Sequence, residues 1–340
     1  MIKDTLRKKR ALITGIRGQD GSYLSEFLLK KGYEVFGLTR EMDYILNDYK
    51  LDNQITLLQG DLCDIKSITN ALDIANPDEI YNLAAQSQVG RSFQEPKYTS
   101  QVNYTGAGNL ITEAFKKNPV ARIYQASSSE MFGPHQSCSN ETTPFNPVSP
   151  YGISKQKTHE EFVIKNREIN NFFICSGFLF NHESPRRGVQ FVTRKVTSNM
   201  TKIKLGLLDK FELGNIDVQR DWGYAKEYVE AMWLMLQQKN PEDFVIATGK
   251  THSIRDFIEA AATALGMTIT WQGKGTEEIA IDENGNTVIS ISPEFYRPNE
   301  LDISYGDNIR AREQLGWQPE TSFAKLVEIM IEAELKTIQD

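Results

Sequence analysis

The feature that most constrains this chain is Arg10-Ala11-Leu12-Ile13-Thr14 running without a break into Gly15-Ile16-Arg17-Gly18-Gln19-Asp20-Gly21 and then a helical stretch over 22–31. Five mostly apolar residues read as a short buried strand, and a helix that follows directly must turn back onto it. Three glycines at three-residue spacing permit that tight turn and let the backbone approach a pyrophosphate closely. The charge of such a ligand is met by the free N–H groups and positive end of the helix.

The same rhythm continues along the chain. Strands are expected at 34–38, 55–59, 79–83 and 122–126, and helices at 65–75 behind an Asp64 cap and at 98–117. Further strands are expected at 172–177 and 244–247. Helices are expected to open at Val192, to cover 225–238, to end near Leu265 behind a Ser253 cap, and to run from Asp307 to Gly316 and onward from Thr321 or Ser322. Asn284-Gly285 between 279–282 and 287–291 marks a hairpin with a two-residue turn. The fold class is therefore α/β: a Rossmann-type doubly wound parallel sheet with a smaller, interleaved C-terminal α/β lobe for substrate. The dinucleotide domain is expected at 1–180, with 215–250 returning to it, and the substrate lobe mainly at 181–340.

Length and composition agree. A chain of 340 residues, 40% of them hydrophobic, can bury the cores of two lobes. A net charge of −7 with both signs interspersed argues against a nucleic-acid surface. No stretch approaches the roughly 20 apolar residues of a membrane span, and the charged N-terminus lacks a secretory pattern, so the expected compartment is the cytoplasm. Cys63, Cys138 and Cys175 lie far apart without histidine at ligand spacing, so neither a disulfide framework nor a metal site is expected.

Chemistry concentrates in two places. In Tyr151-Gly152-Ile153-Ser154-Lys155 the phenol and the ammonium share one helix face, about 6 Å apart along the axis. A cation there stabilises the phenolate, which is expected to bring the phenol's pKa down toward neutrality. Hydroxyls of Ser127-Ser128-Ser129 at a strand end complete a serine, tyrosine and lysine set. The second place is Asn181-His182-Glu183-Ser184-Pro185-Arg186-Arg187-Gly188, where a buried aromatic strand releases groups suited to a polar, phosphorylated ligand. His135, in the polar loop 133–149, is expected to be exposed rather than catalytic. Past the second strand stands Arg40, with Arg17 in the glycine loop; two cations favour a ribose 2′-phosphate, against the neighbouring Glu41. Asp61-Leu62 falls where adenine contacts lie, and the small residues Ala84 and Ala85 let the chain pass beneath a nicotinamide ribose.

These motifs resemble the short-chain dehydrogenase/reductases of extended type. From Ala11 to about Glu328 the chain resembles the GDP-mannose 4,6-dehydratase family, through Ala11-Leu12-Ile13-Thr14-Gly15-Ile16, Gly18-Gln19-Asp20-Gly21-Ser22-Tyr23-Leu24, Phe180 to Gly188, Arg220-Asp221-Trp222-Gly223 and Glu242 to Gly249. The resemblance implies removal of water across C5 and C6 of GDP-mannose. It names Ser128, Glu130, Tyr151 and Lys155 as catalytic. It also implies NADP, with NAD as the alternative, held by Gly15, Ile16, Arg17, Gly18, Gln19, Asp20, Arg40, Asp61, Leu62, Leu83, Ala84, Ala85, Gln86, Ser87, Tyr98, Tyr151, Lys155, His182 and Arg187. Contacts to the GDP-sugar are implied for Ser87, Asn181, Lys195, Arg220, Arg297 and Glu300, and a homo-oligomer, dimer or tetramer, is implied as well. Glu130 carries the most weight, because an epimerase or reductase needs no carboxylate there, whereas elimination needs a base for C5–H and an acid for the departing hydroxyl. The same dehydration of a GDP-manno-heptose, or a GDP-sugar epimerase or reductase, is the alternative. The chain departs from the family at Ser128, usually threonine, at Glu41, usually a second arginine, at Arg17, usually threonine, and in a short 40–54 segment.

Overall fold

In the computed structural model, residues 7–42, 53–134, 138–296 and 301–339 are described. The chain opens with β1 (Arg10–Thr14), β2 (Glu34–Thr39), β3 (Thr56–Gln59), β4 (Glu79–Asn82), β5 (Arg122–Ser128) and β6 (Ile174–Leu179). Between them run α1 (Gln19–Lys30), α2 (Ile65–Ala75), α3 (Val89–Gln94), α4 (Pro96–Ser100), α5 (Ala107–Lys117), α6 (Pro150–Thr158) and α7 (Lys165–Asn170). Beyond β6 come β7 (Asn181–Glu183), α8 (Val192–Lys204), β8 (Phe211–Leu213), β9 (Gln219–Arg220), β10 (Trp222–Tyr224), α9 (Ala225–Gln237) and β11 (Phe244–Ile246). The last of these returns to the first six strands, giving a seven-stranded sheet in the order β11-β6-β5-β4-β1-β2-β3. Every pairing in it is parallel, and the order reverses beside β1. Ligands gather at such a reversal, outside the carboxyl ends of the strands.

Alternation along β1 shows why both faces must be covered. Leu12 points into the core made with Ile68, Leu72 and Leu110 of α2 and α5, while Ala11 and Ile13 point into the one made with Leu24, Leu28 and Met232 of α1 and α9. A separate core lies under α8, with α10 (Ile254–Ala264) and α11 (Phe323–Gln339), where Met200, Phe257, Ile258, Val327 and Met330 meet. They cover a sheet of β13 (Ile269–Gln272), β14 (Ile279–Asp282), β15 (Thr287–Ile291) and β8, while β12 (His252–Ser253) and β16 (Ile303–Ser304) flank β9. Among the described residues no helix is long and apolar enough to cross a membrane.

Caps fall where the sequence places them. The Asp64 side chain accepts from Lys66 N, and Ser253 forms a reciprocal capping box with Asp256. Three local expectations are corrected. Helix α1 begins at Gln19, not Ser22, because Gly18 is its extended cap and Gly21 lies already inside the first turns. Strand β5 extends through Ser127 and Ser128. The hairpin loop has three residues: Gly285 N donates to Asp282 O (3.1 Å), Asp282 N donates to Asn286 O (2.9 Å), and Gly285 alone is left-handed, at φ +84°. A two-residue turn of the Asn-Gly kind needs positive φ at Asn284 as well.

Candidate active site

A cavity of about 600 Å³ opens beyond the carboxyl ends of β1 to β4. It is lined by Gly15, Ile16, Arg17, Gly18, Gln19 and Asp20, by Arg40, by Asp61 and Leu62, by Leu83 to Ser87, and by Tyr98 and Arg187. The glycine loop is a cradle that admits no side chain. A Cβ on Gly15, itself at φ +68°, would stand 2.9 Å from Ala84 N, and one on Gly21 would stand 2.3 Å from the Gly15 carbonyl. A floor of bare backbone at the N-terminus of α1 fits the diphosphate of a dinucleotide.

Behind the cradle lies a chain of buried polar side chains that the sequence reading missed. Thr14 Oγ1 accepts from Leu83 N and Ala84 N, both at 3.1 Å, and donates to Asn82 Oδ1 at 2.6 Å. Asn82 Nδ2 then donates to Gln125 Oε1 at 2.7 Å, and Gln125 Nε2 to the Ala126 carbonyl at 3.0 Å. That carbonyl also accepts from Lys155 Nζ, at 2.7 Å. The alternation of β4 and β5 offered the only signal: amides at inward positions of strands buried on both faces. A second such element is Asn103, on a wide π-helical turn (Gln101–Gly106) joining α4 to α5. Its amide accepts from Gln86 N at 2.8 Å and donates to Gln86 O at 3.0 Å, fixing the loop after β4.

The residues for which the resemblance implies catalysis come together at the end of β5. Ser149 caps α6 by accepting from Gly152 N, which places Tyr151 and Lys155 on the buried face of that helix. Gly152 is needed there, since a Cβ would stand 2.5 Å from the Glu130 carbonyl. Ser128 Oγ accepts from Glu130 N at 3.3 Å, and its hydroxyl is hydrogen-bonded to the Tyr151 phenol. The expected fall of the phenol's pKa is not found. Burial pushes it up to about 12, the Glu130 carboxylate adds to the rise, and the Ser128 hydrogen bond and Arg187 charge only partly oppose it. The lysine ammonium is docked on Ala126, with Nζ 5.8 Å from the Tyr151 ring centre, and burial lowers its own pKa to about 8.

The run after β6 divides its groups. His182 sits behind the glycine loop, Nε2 2.9 Å from Asp20 Oδ2, Nδ1 2.7 Å from the Phe180 carbonyl, and its ring stacked on Tyr228. Gln19 joins the same junction, donating to His182 O at 3.0 Å and accepting from Ser184 Oγ at 2.7 Å. Arg187 faces Glu183 at 3.1 Å and lies over the Phe191 ring. Arg186 packs on α1, pairing with Glu26 at 2.8 Å and covering Tyr23. Asn181 is half-buried on β7; Lys195 Nζ lies 3.9 Å from the Phe295 ring centre; Arg220 Nη1 donates to the Leu301 carbonyl at 2.7 Å. Arg297, Glu300, His135 and residues 43–52 of the short segment lie outside the described residues. Arg91, Gln190 and Phe191 also line the cavity, without having stood out in the sequence.

A family model described as GDP-mannose 4,6 dehydratase matches residues 12–330. The GDP-mannose 4,6 dehydratase of Homo sapiens is 46% identical over 345 residues, covering 97% of this chain and 92% of its own length. That of Drosophila melanogaster is 45% identical over 350 residues (98% and 88%), and that of Vibrio cholerae 44% identical over 356 (98% and 95%). Among solved structures, UDP-glucose 4-epimerase from Thermus thermophilus in complex with NAD superposes with a TM-score of 0.81 at 23% identity, covering 96% of this chain and 98% of its own. A dTDP-glucose 4,6-dehydratase from Streptomyces venezuelae with NAD bound gives 0.79 at 21% identity, covering 95% and 96%. With its seven-stranded parallel sheet, its glycine cradle and this identity over nearly its whole length, the chain belongs to the GDP-mannose 4,6-dehydratase family.

Proposed function

We propose that this chain dehydrates GDP-mannose to GDP-4-keto-6-deoxymannose, using NADP as its nicotinamide cofactor. Glu130 carries the reading, because its carboxylate stands close enough to raise the Tyr151 phenol's pKa while its backbone meets Ser128. Family membership supports the substrate, and Arg17 and Arg40 at the cavity rim support the 2′-phosphate.

A nicotinamide dinucleotide held by the glycine loop, Arg40 and the loop after β4 would supply a reversible hydride acceptor for sugar C4 and C6. The protein's part is proton traffic. Tyr151 takes the O4 proton as C4 becomes a ketone, and the Lys155 ammonium leaves the Ala126 carbonyl to support the phenolate. The ketone acidifies C5–H, which Glu130 removes. Glu130 then returns that proton to the C6 hydroxyl, with Ser128 hydrogen-bonding the oxygen as it departs as water. As hydride reaches C6, C5 takes up a proton and Tyr151 releases the one it took from O4, so the atoms balance: one water is lost, and the sugar is neither oxidised nor reduced overall. Mixing the purified protein with GDP-mannose and NADP+ tests the reading. A product lighter by one water, carrying a ketone, is expected; an epimer or a reduced sugar of unchanged oxygen content would overturn it. A homo-oligomer, dimer or tetramer, belongs to the same reading and is tested by sedimentation.

A further inference from the structure

The end of β2 is where a dinucleotide's adenosine ribose is read, so Arg40 marks the place of a 2′-substituent. Arg40 does not stand alone there. Its Nη1 donates to the Tyr98 hydroxyl at 3.1 Å, and the guanidinium of Arg91 lies over the same ring, 5.5 Å from its centre. Both arginines and Tyr98 line the cavity, together with Arg17, which donates to the Met42 carbonyl just past Arg40. Three guanidinium groups from three separate elements thus converge on one rim. Glu41 and Asp61 line the same cavity, close enough to act on the Arg40 charge.

Arg91 is also restrained in a telling way. Glu95, one helical turn on, pairs with it at 2.9 Å through Nη2 and at 3.0 Å through Nε, leaving Nη1 outside that pair. Nearly half of each side chain is exposed, so the pair itself stabilises little and separates readily. A doubly charged phosphate is a stronger partner for a guanidinium than an exposed carboxylate.

We propose that Arg91 is a specificity-determining residue for the cofactor, supplying the second guanidinium that binds the ribose 2′-phosphate where Glu41 stands in place of a cation. The proposal rests on the NADP reading above and deepens it. Tyr98 is the spacer: it holds Arg40 by its hydroxyl and offers its face to Arg91. Glu95 acts as a competing anion that keeps Arg91 neutralised while no phosphate is present.

Equilibrium titration of the purified full chain with NADP+ and with NAD+, followed by protein fluorescence and calorimetry, tests this without relying on turnover. Arg91→Gln is expected to weaken NADP+ roughly tenfold and leave NAD+ within about twofold, the loss of one charge-assisted hydrogen bond at a partly exposed site. Arg91→Lys should recover part of the loss. Glu95→Gln should act in the opposite direction, tightening NADP+ roughly two- to fourfold, since a competing carboxylate is gone. Equal weakening of both nucleotides by Arg91→Gln, or no change in either, in a variant that melts like the parent, overturns the proposal alone. A parent protein that does not prefer NADP+ over NAD+ overturns the cofactor reading, and the proposal with it.

Discussion

His182 and Asp20 form a partly buried ion pair, 2.9 Å between Nε2 and Oδ2, that ties β7 to the first turn of α1 directly beneath the glycine cradle. Since Nδ1 faces the Phe180 carbonyl, both ring nitrogens meet acceptors and the ring is held as a double donor. Burial works against the charged imidazole, but the Asp20 charge and hydrogen bond outweigh it and raise its pKa. Burial likewise works against the carboxylate, and His182, Gln19 and Arg187 outweigh it to lower that pKa. A raised histidine contributes stability that is complete below its free value of about 6.5 and is lost as pH rises through its folded value. The lowered aspartate contributes above about 3.9, and that share is lost as pH falls through its folded value. Maximal support for the cradle is therefore expected between about pH 4 and 6.5. His182→Asn should cost on the order of 3 kcal/mol near pH 6 and flatten the decline of melting temperature above it. An unchanged pH slope in that variant would remove the pair from the account.

Lys155 makes the reverse prediction. Its ammonium is buried with the Ala126 carbonyl as partner, and burial alone accounts for its fall to about 8. Below that pH the folded chain carries a charge at a cost, and the cost shrinks as pH climbs toward the free value of about 10.5. Lys155→Met should therefore be inactive yet more stable than the parent at pH 7, on the order of 1–3 kcal/mol, with the gain shrinking by pH 9.5. Urea midpoints at the two pH values decide it. A variant less stable at both would show that the ammonium is well satisfied where it lies.

The cradle tolerates no bulk, whereas a nearby helix does. Gly21→Ala drives a Cβ into the Gly15 carbonyl and Ile16 Cα, both backbone, so dinucleotide affinity is expected to fall at least tenfold, about 1.4 kcal/mol. Gly90→Ala, in α3 with open space around it and an ordinary φ, should bind as the parent does and gain about 0.5–1 kcal/mol. Equal affinities for the two variants would mean the diphosphate lies elsewhere.

Gln125→Leu keeps roughly the volume of its site but strands the Asn82 amide, and it removes one of two side-chain donors from the Ala126 carbonyl. A stability loss of about 1–3 kcal/mol is expected. Because the remaining donor is Lys155, kcat should fall roughly tenfold while nucleotide affinity holds, as the ammonium leaves a less shared carbonyl more reluctantly. Unaltered kcat in a folded variant would reduce the relay to scaffolding.

What the sequence could reveal follows from where the determinants lie. Strands β1 to β6 and the caps at Asp64, Ser149 and Ser253 are local, written in apolar runs and in single residues that accept from their own helix. The cleft was legible because glycine spacing is local as well. What the sequence hid is non-local. Lys155 turns to Ala126, not to the phenol four residues away, because β5 brings a carbonyl closer than the helix brings the ring. His182 braces Asp20 across a separation of 162 positions, a pairing that no local pattern announces. Arg91 drew no notice because a lone arginine on a six-residue helix acquires meaning only beside Tyr98.

The proposed mechanism makes Glu130 the base for elimination, and replacing it by glutamine keeps its shape while removing that base. Glu130→Gln, mixed with GDP-mannose and NADP+, should bind the nucleotide as the parent does, accumulate reduced nicotinamide seen by absorbance, and release dehydrated product roughly 10²–10⁴ times more slowly. Release of that product at the parent's rate would contradict the account, for the proton at C5 would then be leaving by another route.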